Sequence, residues 1–191
     1  MFLAEPPRTN WDFNFHLGGI PVRVHPLFWL MTLILGARGF QDTPDAGPML
    51  LIWVGVVFAS ILVHELGHAL TMQYFGHRAR IVLYMLGGLA IPDSAGFEWG
   101  GGRTVKHTSR SQILISFAGP GAGFLFAGLV VVILYALGGA VATDLSDYPG
   151  MPGINLLGLW IIFPPGLTNL TRFLLFDLLW INILWGLLNL C

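Results

Sequence analysis

The stretch MLLIWVGVVFASILVHELGH, residues 49–68, decides the fold class of this chain. Its first fifteen residues have no polar side chain except Ser60, and the helical pattern runs on to Phe75. A helix that crosses a bilayer needs about 20 apolar residues, so His64, Glu65 and His68 fall at membrane depth. At 1.5 Å per residue, His64 stands about 22 Å from Met49, toward the far end of the hydrocarbon. An ionisable side chain at such a depth costs about 2.5–3.5 kcal/mol even on mild insertion scales, and this helix places three within five residues. A cluster of that kind persists most easily when it holds a metal.

Composition agrees with a lipid solvent. Hydrophobic residues make up 55% of the 191, charged residues 10%, and mean hydropathy is +0.73. A soluble domain carries about a quarter charged residues. A net charge of -1 with 9 basic residues excludes nucleic acid as a partner. The single cysteine, Cys191, excludes an intrachain disulfide and a cysteine-based zinc cluster. Glu5, Pro6, Pro7, Arg8 and Asp12 precede any apolar run, so a cleaved signal peptide is not expected.

Outward from the central helix, the chain reads as an α-helical polytopic membrane protein. About four transmembrane helices are expected, over residues 24–40, 49–75, 113–138 and 173–191, with a β-like hairpin or re-entrant segment at 81–92. The first helix reaches spanning length only if Val22–His25 and Ala37–Phe40 join its apolar centre. Gly119-Pro120-Gly121 predicts a helix that enters broken and then spans from Ala122 to Leu137. Residues 41–48, 93–112 and 143–153 read as loops, and Ile154–Phe163 as an apolar stretch too short to cross. One membrane-embedded domain, 1–191, accounts for the whole. If the N-terminus and the 76–112 loop share a side, that side holds Arg8, Arg23, Arg78, Arg80, Arg103, Lys106 and Arg110, against Arg38 and Arg172 opposite. The Lys/Arg excess marks the cytosolic face, so a cytosolic N-terminus is expected, with the motif near that face.

Residues four apart on a helix share a face, so His64 and His68 can present two imidazole nitrogens to one zinc ion, with Glu65 beside it. Zinc lowers the pKa of a bound water to about 7, and a neighbouring carboxylate can take its proton for attack on a peptide carbonyl. The bland alternative is a set of satisfied polar residues in a buried helix, which three ionisable groups in a membrane span make costly.

In this setting the chain resembles the site-2 protease family, the zinc-dependent intramembrane proteases. The resemblance rests on GIPVRVHP at 19–26, HELGH at 64–68, the glycine-bearing strand LGGLA at 86–90, AGPGA at 118–122 and the stretch from Asn182 to Asn189. It implies one Zn2+, Glu65 as the catalytic acid–base, and His64 and His68 as metal ligands. It also implies a third ligand, an aspartate about eight residues beyond Asn189 and so past Cys191, which marks the chain as truncated. Gly87 and Gly88 are candidates to shape a strand that clamps an extended substrate, and Asn189 is a candidate substrate contact. An ordinary turn and an interhelical hydrogen bond are their respective alternatives. The family further implies a membrane-protein substrate with a helix-breaking transmembrane segment, and residence in a bacterial-type plasma membrane. A metal transporter or a non-catalytic metal-binding membrane protein is the competing class.

Other polar residues fit the site less well. Asp177, on the last helix, is a substitute ligand only if it leaves a packing role. Asp93, Asp144 and Asp147 lie in loops. Gly119, Pro120, Gly121 and Gly123 read as helix-packing residues, and His16, His25, His77 and His107 as surface or loop histidines.

Overall fold

The computed structural model describes residues 5–39, 43–92 and 109–190. Two β-strands lead the chain, β1 (Phe13–Leu17) and β2 (Ile20–Val24), followed by helices α1 (Pro26–Gly39) and α2 (Ala46–Tyr74). A hairpin, β3 (Ala79–Tyr84) and β4 (Gly87–Pro92), precedes α3 (Ser109–Ala136). Three short strands, β5 (Ala140–Ala142), β6 (Gly153–Leu156) and β7 (Leu159–Ile162), lead to α4 (Asn169–Leu188). Helices α2, α3 and α4, of 29, 28 and 20 residues, are long and apolar enough to cross a membrane. The chain is therefore an integral membrane protein with the expected combination of helices and a β-hairpin. The expected loop 93–112 lies outside the described residues as far as residue 108, as do Asp93, His107, Phe40 to Asp42 and Cys191.

Helix α1 is the exception in length. Its 14 residues reach about 21 Å, short of a hydrocarbon core of about 30 Å. The residues that were to extend it at the N-terminal side are a strand instead. Val22, Arg23 and Val24 pair in parallel with Ile81, Val82 and Leu83 of β3, in a sheet ordered β1-β2-β3-β4. Ile20, Val22 and Val24 are buried on one face of the strand, and so short a stretch next to the apolar start of α1 is not told from a helix lead by periodicity. Pro26 then opens α1, where its missing N–H costs nothing. His25 Nδ1 accepts the Leu27 N–H at 3.1 Å and caps the first turn. His25 is thus buried, against Tyr84 at 5.0 Å between ring centroids, and not a surface histidine.

Helix α3 runs unbroken through Gly119-Pro120-Gly121, where an interruption is expected from sequence. Pro120 offers no N–H to the carbonyl of Ser116, but membrane helices tolerate such a proline when neighbouring helices hold both sides. Here α2 and α4 do so through small residues. A Cβ on Gly67 of α2 would strike the Ala118 carbonyl, and one on Gly186 of α4 would stand 2.7 Å from the Phe124 ring. Between α2 and α4, Asn182 Nδ2 donates to Ser60 Oγ at 2.9 Å, a buried polar link in an apolar bundle. Trp53 Nε1 donates to the Thr32 carbonyl at 3.0 Å and ties α1 to α2.

The β3–β4 hairpin falls where sequence places it, closed by a two-residue turn at Met85 and Leu86. Residues 143–163, read as loop plus a short apolar stretch, supply β6 and β7, which join β5 in a second sheet ordered β5-β7-β6 against the ends of α3 and α4. Its strands of three or four residues are too short to show a period. At the opposite end of the bundle, Arg23 holds residues 5–12 on the first sheet. Its guanidinium donates to Glu5 and Asp12 at 3.0 Å each, and Arg80 donates to Glu5 at 2.6 Å. The Arg80 hydrogen bond, outweighing burial, holds the Glu5 carboxyl below its ordinary value. Burial raises the Asp12 carboxyl, but donors from Thr9 and Arg23 outweigh it and keep that group low as well.

Two outcomes follow. A double-mutant cycle of Ser60→Ala and Asn182→Ala, followed by thermal unfolding in detergent, should give a coupling of about 0.6–1.7 kcal/mol. Because Glu5 and Asp12 titrate lower in the folded state, their contribution is complete above the ordinary carboxylate range and is lost as pH falls through the lowered values. Limited proteolysis should therefore cut the segment before β1 readily at about pH 3 and slowly at about pH 7.

Candidate metal centre

His64 and Glu65 are the nineteenth and twentieth residues of α2, 3% and 5% exposed, and His68 follows one turn on. The two imidazoles meet edge to face, with Nε2 of His64 and Nε2 of His68 3.2 Å apart. His68 Nδ1 lies 2.6 Å from the carbonyl of Ile115 on α3. A carbonyl only accepts, so the ring proton sits on Nδ1 and the lone pair of Nε2 points toward His64. This is the arrangement by which an outer hydrogen bond fixes the tautomer of a metal-binding histidine.

Three glycines bring backbone up to these side chains. A Cβ on Gly119 of α3 would fall on the His68 ring, and one on Gly67 would strike α3 itself. A Cβ on Gly88 of β4 would fall on Glu65, 2.6 Å from its Cδ. Residues 84 and 87 close the hairpin as a hydrogen-bonded pair, so Gly88 and Ala90 turn their N–H and C=O groups away from β3. That places them on the free edge of the four-stranded sheet. From this edge the Ala90 N–H reaches the Glu65 carboxylate. The edge of β4 therefore crosses directly over Glu65.

The structure thus gathers His64, Glu65, His68 and Gly88. Gly87 lies farther along the strand, where a Cβ would come to 4.0 Å from the ring of Trp185 on α4. Asn189 caps the C-terminus of α4, exposed, its Nδ2 donating to the Trp185 carbonyl at 2.7 Å. Its side chain is thus engaged with its own helix and not with the histidine pair.

Asp177 is buried in α4 at 4% exposure, and its Oδ2 has no hydrogen-bond partner among the described residues. Helices α2 and α4 run parallel, with Asn182 beside Ser60. Asp177 is five residues toward the α4 N-terminus and His64 four toward the α2 C-terminus, so the two lie about 13 Å apart along the bundle. That separation removes Asp177 as a ligand. Asp144 is exposed at the other end of the bundle, bonded to Ser146 at 2.6 Å. Among the described residues, no group of three His, Cys, Asp or Glu surrounds the histidine pair.

Sequence reasoning missed Ile115 and Ala90, because backbone groups leave no residue signature. Gly119 was legible only as a packing residue, and what it packs against is His68. Next to this cluster, a cavity of about 350 Å3 opens between α2, β4 and α3, lined by Met72, His77, Pro92, Gln112, Ile115 and Ser116.

No family profile matches the chain. It is similar to a zinc metalloprotease of Methanocaldococcus jannaschii, 25% identical over 148 residues that cover 77% of this chain and 38% of the relative. The solved site-2 protease from Methanocaldococcus jannaschii superposes with a TM-score of 0.53 at 21% identity, over 94% of this chain and 64% of that one. The chain has the site-2 protease fold. The family resemblance read from its motifs holds, and the chain spans less than two-fifths of the length of the relative it matches in sequence. The donor chemistry suits zinc, since two imidazoles four residues apart on one helix bring their Nε2 atoms within 3.2 Å of each other.

The Gly119 contact makes a sharp test. Gly119→Ala should push the His68 ring off the Ile115 carbonyl and lower zinc affinity about 10- to 100-fold, the usual effect of losing an outer-shell partner. Competition against a fluorescent chelator in detergent measures it. Gly121→Ala, with open space around its Cβ, should leave affinity unchanged.

Proposed function

We propose that this chain is the core of a zinc-dependent intramembrane endopeptidase that cuts membrane proteins within or near their spanning segments. The observation that carries the reading is the position of Glu65, beside two converging imidazoles and beneath a free strand edge. His64 and His68 would hold the metal, with a carboxylate expected after Asn189 as the third ligand. When bound, zinc supplies Lewis acidity to a water molecule and to a peptide carbonyl.

The chain's own residues supply the rest. Ile115 fixes the His68 tautomer and ring. An extended substrate can add to the outer edge of β4 through main-chain hydrogen bonds, and that edge carries it over Glu65. Glu65 accepts a proton from the attacking water and passes it to the departing amine. A substrate helix hides its carbonyls in its own hydrogen bonds, so it must unwind before it can pair with β4. Substrates with helix-breaking residues in the span are accordingly favoured. Gln112 and Ser116 line the neighbouring cavity and offer water a polar way in. The Lys/Arg bias supports a site near the cytosolic face, and the family resemblance supports a bacterial-type plasma membrane.

The test uses the full-length protein in detergent or liposomes, with a model substrate whose span contains a helix break. Glu65→Gln should keep bound zinc and lose about 10²- to 10⁴-fold in cleavage rate. His64→Ala should lose the zinc itself. If Glu65→Gln cuts at the wild-type rate, or if the protein carries zinc into vesicles regardless of that substitution, the protease reading fails.

A further inference from the structure

The connection between α3 and α4 is unusual in its chemistry. Between Ala136 and Asn169 its charged residues are Asp144 and Asp147, and residues 148–168 have none while including Tyr148, Trp160 and Phe163. They do not cross the membrane, since their strands have four residues each. A connection in water ordinarily carries charge at about one residue in four.

The turn of the β6–β7 hairpin is made by Leu157 and Gly158, at φ +53° and +89°. The left-handed region costs a branched side chain about 1–2 kcal/mol, and Asn or Gly is the unstrained choice for such a turn. Yet the residue here is leucine, and it is 79% exposed. Asn155 Oδ1 accepts the Gly158 N–H at 3.2 Å, so the turn is closed and the leucine is held outward.

The sheet is fixed to the bundle. Leu156, Ile161 and Phe163 pack with Leu134 of α3 and Leu179 of α4. Exposed apolar side chains occur on α3 at Leu129 and Val132, beyond its end at Leu137, and on the sheet at Val141, Leu157 and Leu159. It cannot sit in the hydrocarbon itself, because β5 and β6 are edge strands whose outer N–H and C=O groups need water or headgroups.

We propose that this sheet is a lipid anchor, seated in the membrane interface at the end of the bundle away from the metal centre. Leu157 enters the acyl boundary, and Trp160 and Tyr148 stand at headgroup level, where aromatic rings are favoured. The anchor fixes the depth of α3 and α4. Without basic residues in the segment, it needs no anionic lipid and is insensitive to salt. It stands independently of the protease reading.

The test labels Leu157→Cys, in the full chain carrying Cys191→Ser, with an environment-sensitive fluorophore in phosphatidylcholine vesicles. Nitroxide lipids labelled near the headgroup should remove most of its emission, and iodide on both sides of the bilayer should remove little. A label at Ser146→Cys, in the charged loop, should respond in the opposite sense. Iodide quenching at 157 equal to that at 146 overturns the proposal. So does shielding of 157 from both quenchers that vanishes when protein is diluted in lipid, which marks a second copy as the occupant. Leu159→Cys gives the same readout if Leu157→Cys does not fold.

Discussion

The hydrogen bond from His68 Nδ1 to the Ile115 carbonyl is the constraint on which the arrangement turns. It crosses from α2 to α3, so the helix pair must approach closely, and only small residues allow that. Gly67 and Gly119 stand where the two backbones meet, and neither tolerates a Cβ without displacing the other helix or the histidine ring. Packing and site chemistry are therefore set by the same residues. In a bundle with no hydrophobic drive between helices, close van der Waals contact and interhelical hydrogen bonds are what hold it together.

Polar groups at membrane depth mostly find a partner on a different element, His64 excepted, whose ring meets His68 on its own helix. His68 uses α3, Glu65 uses the edge of β4, and Asn182 uses Ser60 on α2. Asp177 departs from this pattern, with one oxygen left over in the core of α4. On α2 the buried polar side chains are thus Ser60, His64 and Glu65, gathered in the second half of the helix.

Much of this was legible in the sequence. The motif, the long apolar helices and the β3–β4 hairpin each carry a local pattern that one physical rule decodes: spacing of four, length near 20, or a glycine pair among β-formers. What stayed hidden has a common cause. Strand β2 buries Ile20, Val22 and Val24 and runs straight into α1, so it reads like a helix lead, and the β5–β7 sheet is too short for a period. Pro120 carries a local breaking signal that packing on both sides overrides. The carbonyl of Ile115 and the N–H of Ala90 belong to the backbone, so no residue type announces them.

The shortness of α1 bears on the surrounding lipid. With about 21 Å of helix against a core of about 30 Å, this flank presents a hydrophobic mismatch that lipid must absorb by thinning, while Arg38 at its end draws water and headgroups inward. Lipid matched in thickness to α1 would be thinner than lipid matched to α2 or α3. Such thinning costs a fraction of a kcal/mol per Å, so the mismatch at α1 would weigh against thick, ordered membranes.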